Sequence, residues 1–163
     1  MAESVFRSER PRRKLFRWVV LLLILATLLF IWSRSTKSRE ESAAESAIVR
    51  QLLTPFLEPF VGKGNVTDHL IRKLAHFAEY CFLGVELAVW ITLGEKRRLR
   101  WLYSVLFGFS VASIDETIQF FVGRGNQFSD VMLDLFGFVC GVGGLCLLLW
   151  IAKRGKRKNG RQL

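Results

Sequence analysis

The chain has no cysteine framework. Its three cysteines, Cys81, Cys140 and Cys146, all fall inside apolar blocks, where cysteine serves as a small hydrophobic filler. No CxxC pair, metal-ligand spacing or secreted-disulfide pattern is present. Also missing is any recognised metalloprotease, phosphatase or nucleophile motif, so no reaction can be read off and no metal or cofactor is called for. Acidic residues are few, 14 against 24 Lys and Arg, which leaves a net charge of +10. Such an excess raises nucleic acid as a partner, and the positions of the charges decide the matter.

What is abundant is apolar: 51% of 163 residues are hydrophobic and 14 are Phe, gathered into blocks. The first runs over residues 15–32, interrupted only by Arg17 and Thr27. At about 1.5 Å per residue it crosses most of a hydrocarbon core. A basic start and apolar centre also fit a signal peptide, but the end of the run, Leu-Phe-Ile-Trp-Ser-Arg-Ser, lacks a small-x-small cleavage site, and an uncleaved helix is expected. Blocks at 74–94, 101–122 and 131–152 each have roughly the 20 residues needed to span.

The fold expected is therefore all-α: a polytopic membrane protein with four transmembrane helices and an extracytoplasmic amphipathic helix between the first and second. Its parts are a basic N-terminus (1–14), the first span (15–32), a connection (33–70), a three-helix core (71–152) and a basic tail (153–163). In the connection, Ala44, Ile48, Leu52 and Phe56 form one apolar row and Val49, Leu53 and Leu57 the next, opposite Ser42, Glu45, Ser46, Arg50 and Gln51. Pro55 and Pro59 are expected to kink or end this helix. It reads as lying on the bilayer or packed over the bundle, with a lid as the alternative.

Of the 24 Lys and Arg, 16 fall in the N-terminal segment through Arg17, the 95–100 loop and the tail. The positive-inside rule then makes both termini cytoplasmic and the long connection extracytoplasmic. The basic segments are topology signals and contacts for anionic lipid rather than a nucleic-acid face.

Six acids remain within or at the edges of the spans: Glu79, Glu86, Asp115, Glu116, Asp130 and Asp134. A charge at the bilayer centre costs at least about 2.5 kcal/mol, so they need a reason. Helix direction brings five of them together in the outer part of the bundle with His76 and Gln119, while Arg72, Lys73 and Arg124 form a rim. Glu86 lies one heptad below Glu79. Asp130, Asp134, Gly137, Gly141 and Gly144 share a stripe, read first as close packing within the chain and second as a dimer face that would make a homo-oligomer. His69 is read as solvated or capping.

Arg72-Lys73-x-Ala75-His76-Phe77-x-Glu79-Tyr80 with Leu83-Gly84, then Asp115-Glu116-x-x-Gln119, Arg124, Asp130, Asp134-x-x-Gly137 and Gly141, resembles the VanZ-like family of small bacterial membrane proteins over about residues 42–145. Asp134 departs from the pattern, standing where the family often has a neutral polar residue such as Asn. The resemblance implies a bacterial plasma-membrane protein, and the name-giving member is linked to reduced teicoplanin susceptibility. It implies no established activity and no catalytic set.

Three functions follow as expectations. The first is an outward-facing site for an envelope component, a lipid headgroup or lipid-linked cell-wall precursor. Arg72, Lys73 and Arg124 would hold phosphate or carboxylate, with His76, Glu79, Tyr80, Asp115, Glu116, Gln119, Asp130 and Asp134 completing the ligand-binding set. The second is an intramembrane enzyme acting on a lipid-linked substrate, with His76, Glu79, Asp115 and Glu116 as catalytic candidates, or His76, Glu79, Asp115 and Asp130 as an oxygen-rich metal set. The third is proton-coupled transport through Glu86, against which no inverted repeat is visible. A structural alternative to all three is an ion-pair network that latches the helices.

Overall fold

The periodicity of the apolar blocks produces five helices, seen in a computed structural model that describes residues 11–94, 100–124 and 127–159, with side chains over 12–94, 100–124 and 127–155. They are α1 (Pro11–Ser35), α2 (Arg39–Val61), α3 (Asp68–Thr92), α4 (Arg100–Phe121) and α5 (Phe128–Asn159). The basic segment at 1–10, the loop basics Lys96, Arg97 and Arg98, and the tail's Arg161 lie outside the described residues, as do the side chains of Lys156, Arg157 and Lys158.

Caps fix two of the starts. Ser38 Oγ accepts from Glu41 N at 3.2 Å while Glu41 Oε2 accepts from Ser38 N at 2.8 Å, a reciprocal pair that satisfies two orphan donors of α2. Thr67 Oγ1 accepts from Leu70 N at the start of α3. Between them the chain turns through Gly62 and Gly64, whose φ values of 90° and 78° favour glycine.

Three of the described helices, α1, α3 and α5, are long and apolar enough to cross a membrane. By that measure α4 is not a fourth, because Asp115, Glu116 and Gln119 all fall within its 22 residues and dilute its hydropathy.

The closest approach is between α3 and α5. A Cβ on Gly84 would overlap the Phe138 carbonyl oxygen, one on Gly141 the Cys81 carbonyl oxygen, and one on Gly137 would stand 2.6 Å from the Phe77 oxygen. The glycine stripe is thus used within the chain, and it ends there, since a Cβ on Gly144 meets nothing within 4 Å. The Phe138 ring, fully buried, presses on Gly108 of α4. α1 closes the side with a buried row of Val20, Ile24, Leu28 and Ile31. Both polar interruptions of its apolar run face α3: the Arg17 guanidinium lies 5.3 Å from the Trp90 ring centroid, and Thr27 Oγ1 donates to Glu86 Oε1 at 3.2 Å.

α2 departs from expectation at its prolines and, of the two placements read from sequence, rules out apolar packing over the bundle. It runs through Pro55 and Pro59 to Val61 rather than ending at them; both rings are exposed, and the hydrogen bonds they remove lie in the last turns of the helix. Its orientation is also the reverse of apolar packing over the bundle. Ser42 and Ser46 are buried, while Ile48, Val49, Leu52, Leu53 and Phe56 are exposed. The polar edge turns inward because the part of the bundle it covers is itself polar.

Candidate functional site

The end of the bundle that carries Arg124 is a layered polar chamber. Its floor is made by one residue from each of three helices. His76 Nδ1 of α3 lies 3.7 Å from Asp115 Oδ2 of α4 and 3.6 Å from Asp134 Oδ1 of α5. Asp115 is fully buried and held on both oxygens: Ser35 Oγ donates to Oδ1, and Gln119 Nε2 donates to Oδ2 at 3.0 Å. Asp134 is 1% exposed, and among the described residues neither of its oxygens has a hydrogen-bond partner.

Above the floor, Arg34 at the end of α1 bridges two elements, with Nη1 2.8 Å from Glu45 of α2 and Nε 3.6 Å from Glu79 of α3. Lys37 also hydrogen-bonds Glu45. That bond and the nearby Arg34 charge hold the Glu45 carboxyl below the usual carboxylate range, against the opposing pull of burial.

The rim is basic. Lys73 Nζ pairs with Asp130 Oδ1 at 3.0 Å, and Arg72 Nη2 lies 3.1 Å from His69 Nδ1. The cap role near His69 belongs to Thr67, and His69 stands at the mouth instead. Arg124 donates to the Arg34 carbonyl and to Ser42 Oγ, both at 3.4 Å, and its own carbonyl accepts from Arg39 Nη2 at 2.7 Å. Burial pulls the Arg124 guanidinium down from the ordinary arginine value, and Arg72 adds to this while Asp115 and Glu116 oppose it.

Cavities follow this layering. One of about 220 Å³ lies at the mouth against Arg39, His69, Arg72, Gln119, Arg124, Gln127 and Asp130. A second, of about 60 Å³, lies beneath α2 and reaches Arg34, Ser46, Arg72, His76 and Glu79. A third, of about 20 Å³, leads past Lys73 and Asp130 to His76 and Asp134.

Arg72, Lys73, His76, Glu79, Asp115, Gln119, Arg124, Asp130 and Asp134 therefore all reach the chamber. Glu116 diverges from them: it is buried, but its Oε1 accepts from Gln127 N at 2.6 Å and ties down the α4–α5 turn. Tyr80 is fully enclosed, and among the described residues its hydroxyl has no hydrogen-bond partner. Glu86 belongs to the Thr27 contact. The metal set imagined from sequence is split, because Glu79 turns to Arg34 and Asp130 to Lys73, while Asp134 takes the place beside His76 and Asp115. Sequence reasoning missed Arg34, Ser35, Arg39, Ser42 and Glu45. A signal for Ser35 existed, since it continues the buried row of α1 one turn beyond Ile31.

An all-α chain with apolar helices of membrane-crossing length and a polar chamber enclosed at one end is a multi-pass membrane protein in design. A family model described as VanZ/LLP1 matches residues 18–150, and the chain belongs to that family. The match extends across α1, the helix that supplies Arg34 and Ser35. No curated protein and no solved structure matches the chain.

Proposed function

We propose that the chamber binds the phosphate-bearing headgroup of a lipid-linked envelope component at the outer face of a bacterial plasma membrane. The observation that carries this reading is the mouth, where Arg39, Arg72 and Arg124 line one cavity of about 220 Å³. Arginine presents a planar fork of donors suited to phosphate oxygens, and three of them surround a cavity whose lining carboxylate, Asp130, is already paired with Lys73.

In this reading α1, α3, α4 and α5 all span. For α4 the support is that Asp115, Glu116 and Gln119 are buried, whereas Leu102, Val105, Leu106, Phe109, Ile114 and Phe120 face outward. α2 lies at the interface with its exposed apolar residues toward hydrocarbon and its serine edge over the chamber. The distribution of Lys and Arg supports cytoplasmic termini, which puts the mouth outside. A teicoplanin phenotype would follow if the bound component is a cell-wall precursor; unchanged susceptibility on deletion of the gene in its host removes that extension.

Native mass spectrometry of the full-length protein tests the headgroup reading, using phosphatidic acid and a polyprenyl phosphate against phosphatidylcholine. The phosphomonoester lipids are expected to be retained by the wild type and bound at least roughly tenfold more weakly by Arg72→Gln and Arg124→Gln, the scale of one lost charge-assisted contact. Equal retention of phosphatidylcholine, or unchanged binding in both variants, overturns it.

A second reading, an enzyme acting on the lipid-linked substrate, is favoured by one observation: an imidazole stands between two buried carboxylates directly below the mouth, an arrangement able to accept and return a proton. Turnover of a labelled precursor lipid that disappears in His76→Gln tests it, and no turnover by the wild type sinks it.

A further inference from the structure

We infer that His76, Asp115 and Asp134 form a binding site for one divalent transition-metal ion of the Zn²⁺ or Mn²⁺ type. α3, α4 and α5 each deliver one ligand, and one ligand atom from each lies within 4.8 Å of the other two. The separations of 3.7 and 3.6 Å from His76 Nδ1 to the two carboxylates are too long for hydrogen bonds. They suit an ion: ligand atoms about 2.1 Å from a tetrahedral metal stand roughly 3.4 Å apart.

A second, independent observation points to a ligand. Asp134 is only 1% exposed, faces His76, and among the described residues has no hydrogen-bond partner for either oxygen. A carboxylate taken out of water without partners costs several kcal/mol, and among the described residues its ion pair is with His76. A protonated imidazole would bring one positive charge to two carboxylates. A divalent ion balances both and leaves His76 neutral, the form in which it ligates.

Asp115 is prepared for this role. Ser35 and Gln119 fix the orientation of its carboxylate, and each of its oxygens keeps a lone pair for an ion. One imidazole nitrogen favours Zn²⁺ over Ca²⁺ and Mg²⁺, which prefer oxygen alone, and the two carboxylates also admit Mn²⁺. The chamber supplies an approach, since His76 borders the cavity beneath α2 and, with Asp134, the smaller one beside Lys73. The inference rests on the floor of the chamber, whereas the headgroup reading is carried by the arginines at its mouth, so it stands without that reading.

The test is the metal content of full-length protein, freed of any affinity tag, stripped with EDTA in detergent and dialysed against Zn²⁺ or Mn²⁺. One ion per chain is expected for the wild type and none for Asp134→Asn or His76→Gln, with Ser35→Ala retaining the site at roughly 10–100-fold lower affinity. A wild type that stays well below one equivalent with both ions overturns the inference, as does a folded Asp134→Asn protein with wild-type content. If both ligand variants fail to fold, the wild-type stoichiometry and a rise in its melting temperature with either ion decide alone. Arg72→Gln should lose phospholipid and keep the ion; a wild type that holds the ion but no phosphomonoester lipid removes the headgroup reading only.

Discussion

The α3–α5 pair is built in two contrasting ways along its length. Around Gly84, Gly137 and Gly141 the backbones meet so closely that a methyl group has no room. One to two turns away, toward Arg124, the same helices carry His76, Glu79, Asp130 and Asp134, and cavities open beside them. The first region shows what this sequence does when only packing matters. The second shows packing given up for polar groups, some left incomplete: among the described residues Asp134 and Tyr80, with Glu116 on neighbouring α4, keep buried oxygens without hydrogen-bond partners. Each such group costs about 1–3 kcal/mol, a burden of the kind a protein carries at sites selected for function rather than stability.

Substitutions should separate the two regions. The largest effect is expected at the glycine seam, where Gly141→Val forces a side chain against the Cys81 backbone and costs at least about 3 kcal/mol, the upper end of overpacking. Thermal unfolding in detergent measures it, with Gly144→Ala as a near-neutral control because its Cβ meets nothing. In the chamber the sign should reverse. Asp134→Asn removes a buried charge whose pairing is the long 3.6 Å contact with His76. Because desolvation outweighs so distant a pair, it is expected to leave stability unchanged or raise it by up to roughly 2 kcal/mol, measured without added metal; a large loss would make Asp134 a structural latch instead.

Beyond the seam, Thr27→Val deprives Glu86 of its donor and should cost about 1 kcal/mol while leaving phospholipid binding at the wild-type level. The smallest effect belongs to α2. Because the Glu45 carboxyl is held below its ordinary value of 4.5, its contribution is complete above that value and is lost as the pH falls through the lowered one. Glu45 is about two-fifths exposed, so the effect stays below about 1 kcal/mol. Amide exchange in α2 should quicken on acidification in the wild type and lose that pH dependence in Glu45→Gln.

Much of this contrast was legible in the sequence. Runs of membrane length and the intrahelical spacing of Asp130, Asp134, Gly137 and Gly141 located the helices and the acidic end, and the order of motifs pointed to the family. Hydropathy could not tell which side of α2 faces the bundle: an apolar row normally turns inward, and here Ser42 and Ser46 do so because Arg124 and the chamber lie beneath them. Nor could charge spacing sort partners. Glu79 and Asp130 look equivalent to Asp134 in one dimension, yet Arg34 and Lys73 claim them. Arg34 itself stands just past an apolar run, where a basic residue reads as a flank until the fold brings it over Glu79.

The central claim is that the basic mouth exists for a phosphate-bearing ligand and not to hold the helices together. The most direct measurement is the melting temperature of the full-length protein in detergent with and without phosphatidic acid, for the wild type and for an Arg72→Gln/Arg124→Gln double variant. A ligand at about 100 times its dissociation constant stabilises by about 2.7 kcal/mol, so a clear rise is expected for the wild type and none for the variant. Equal shifts in both proteins, or no shift in the wild type, would contradict the account.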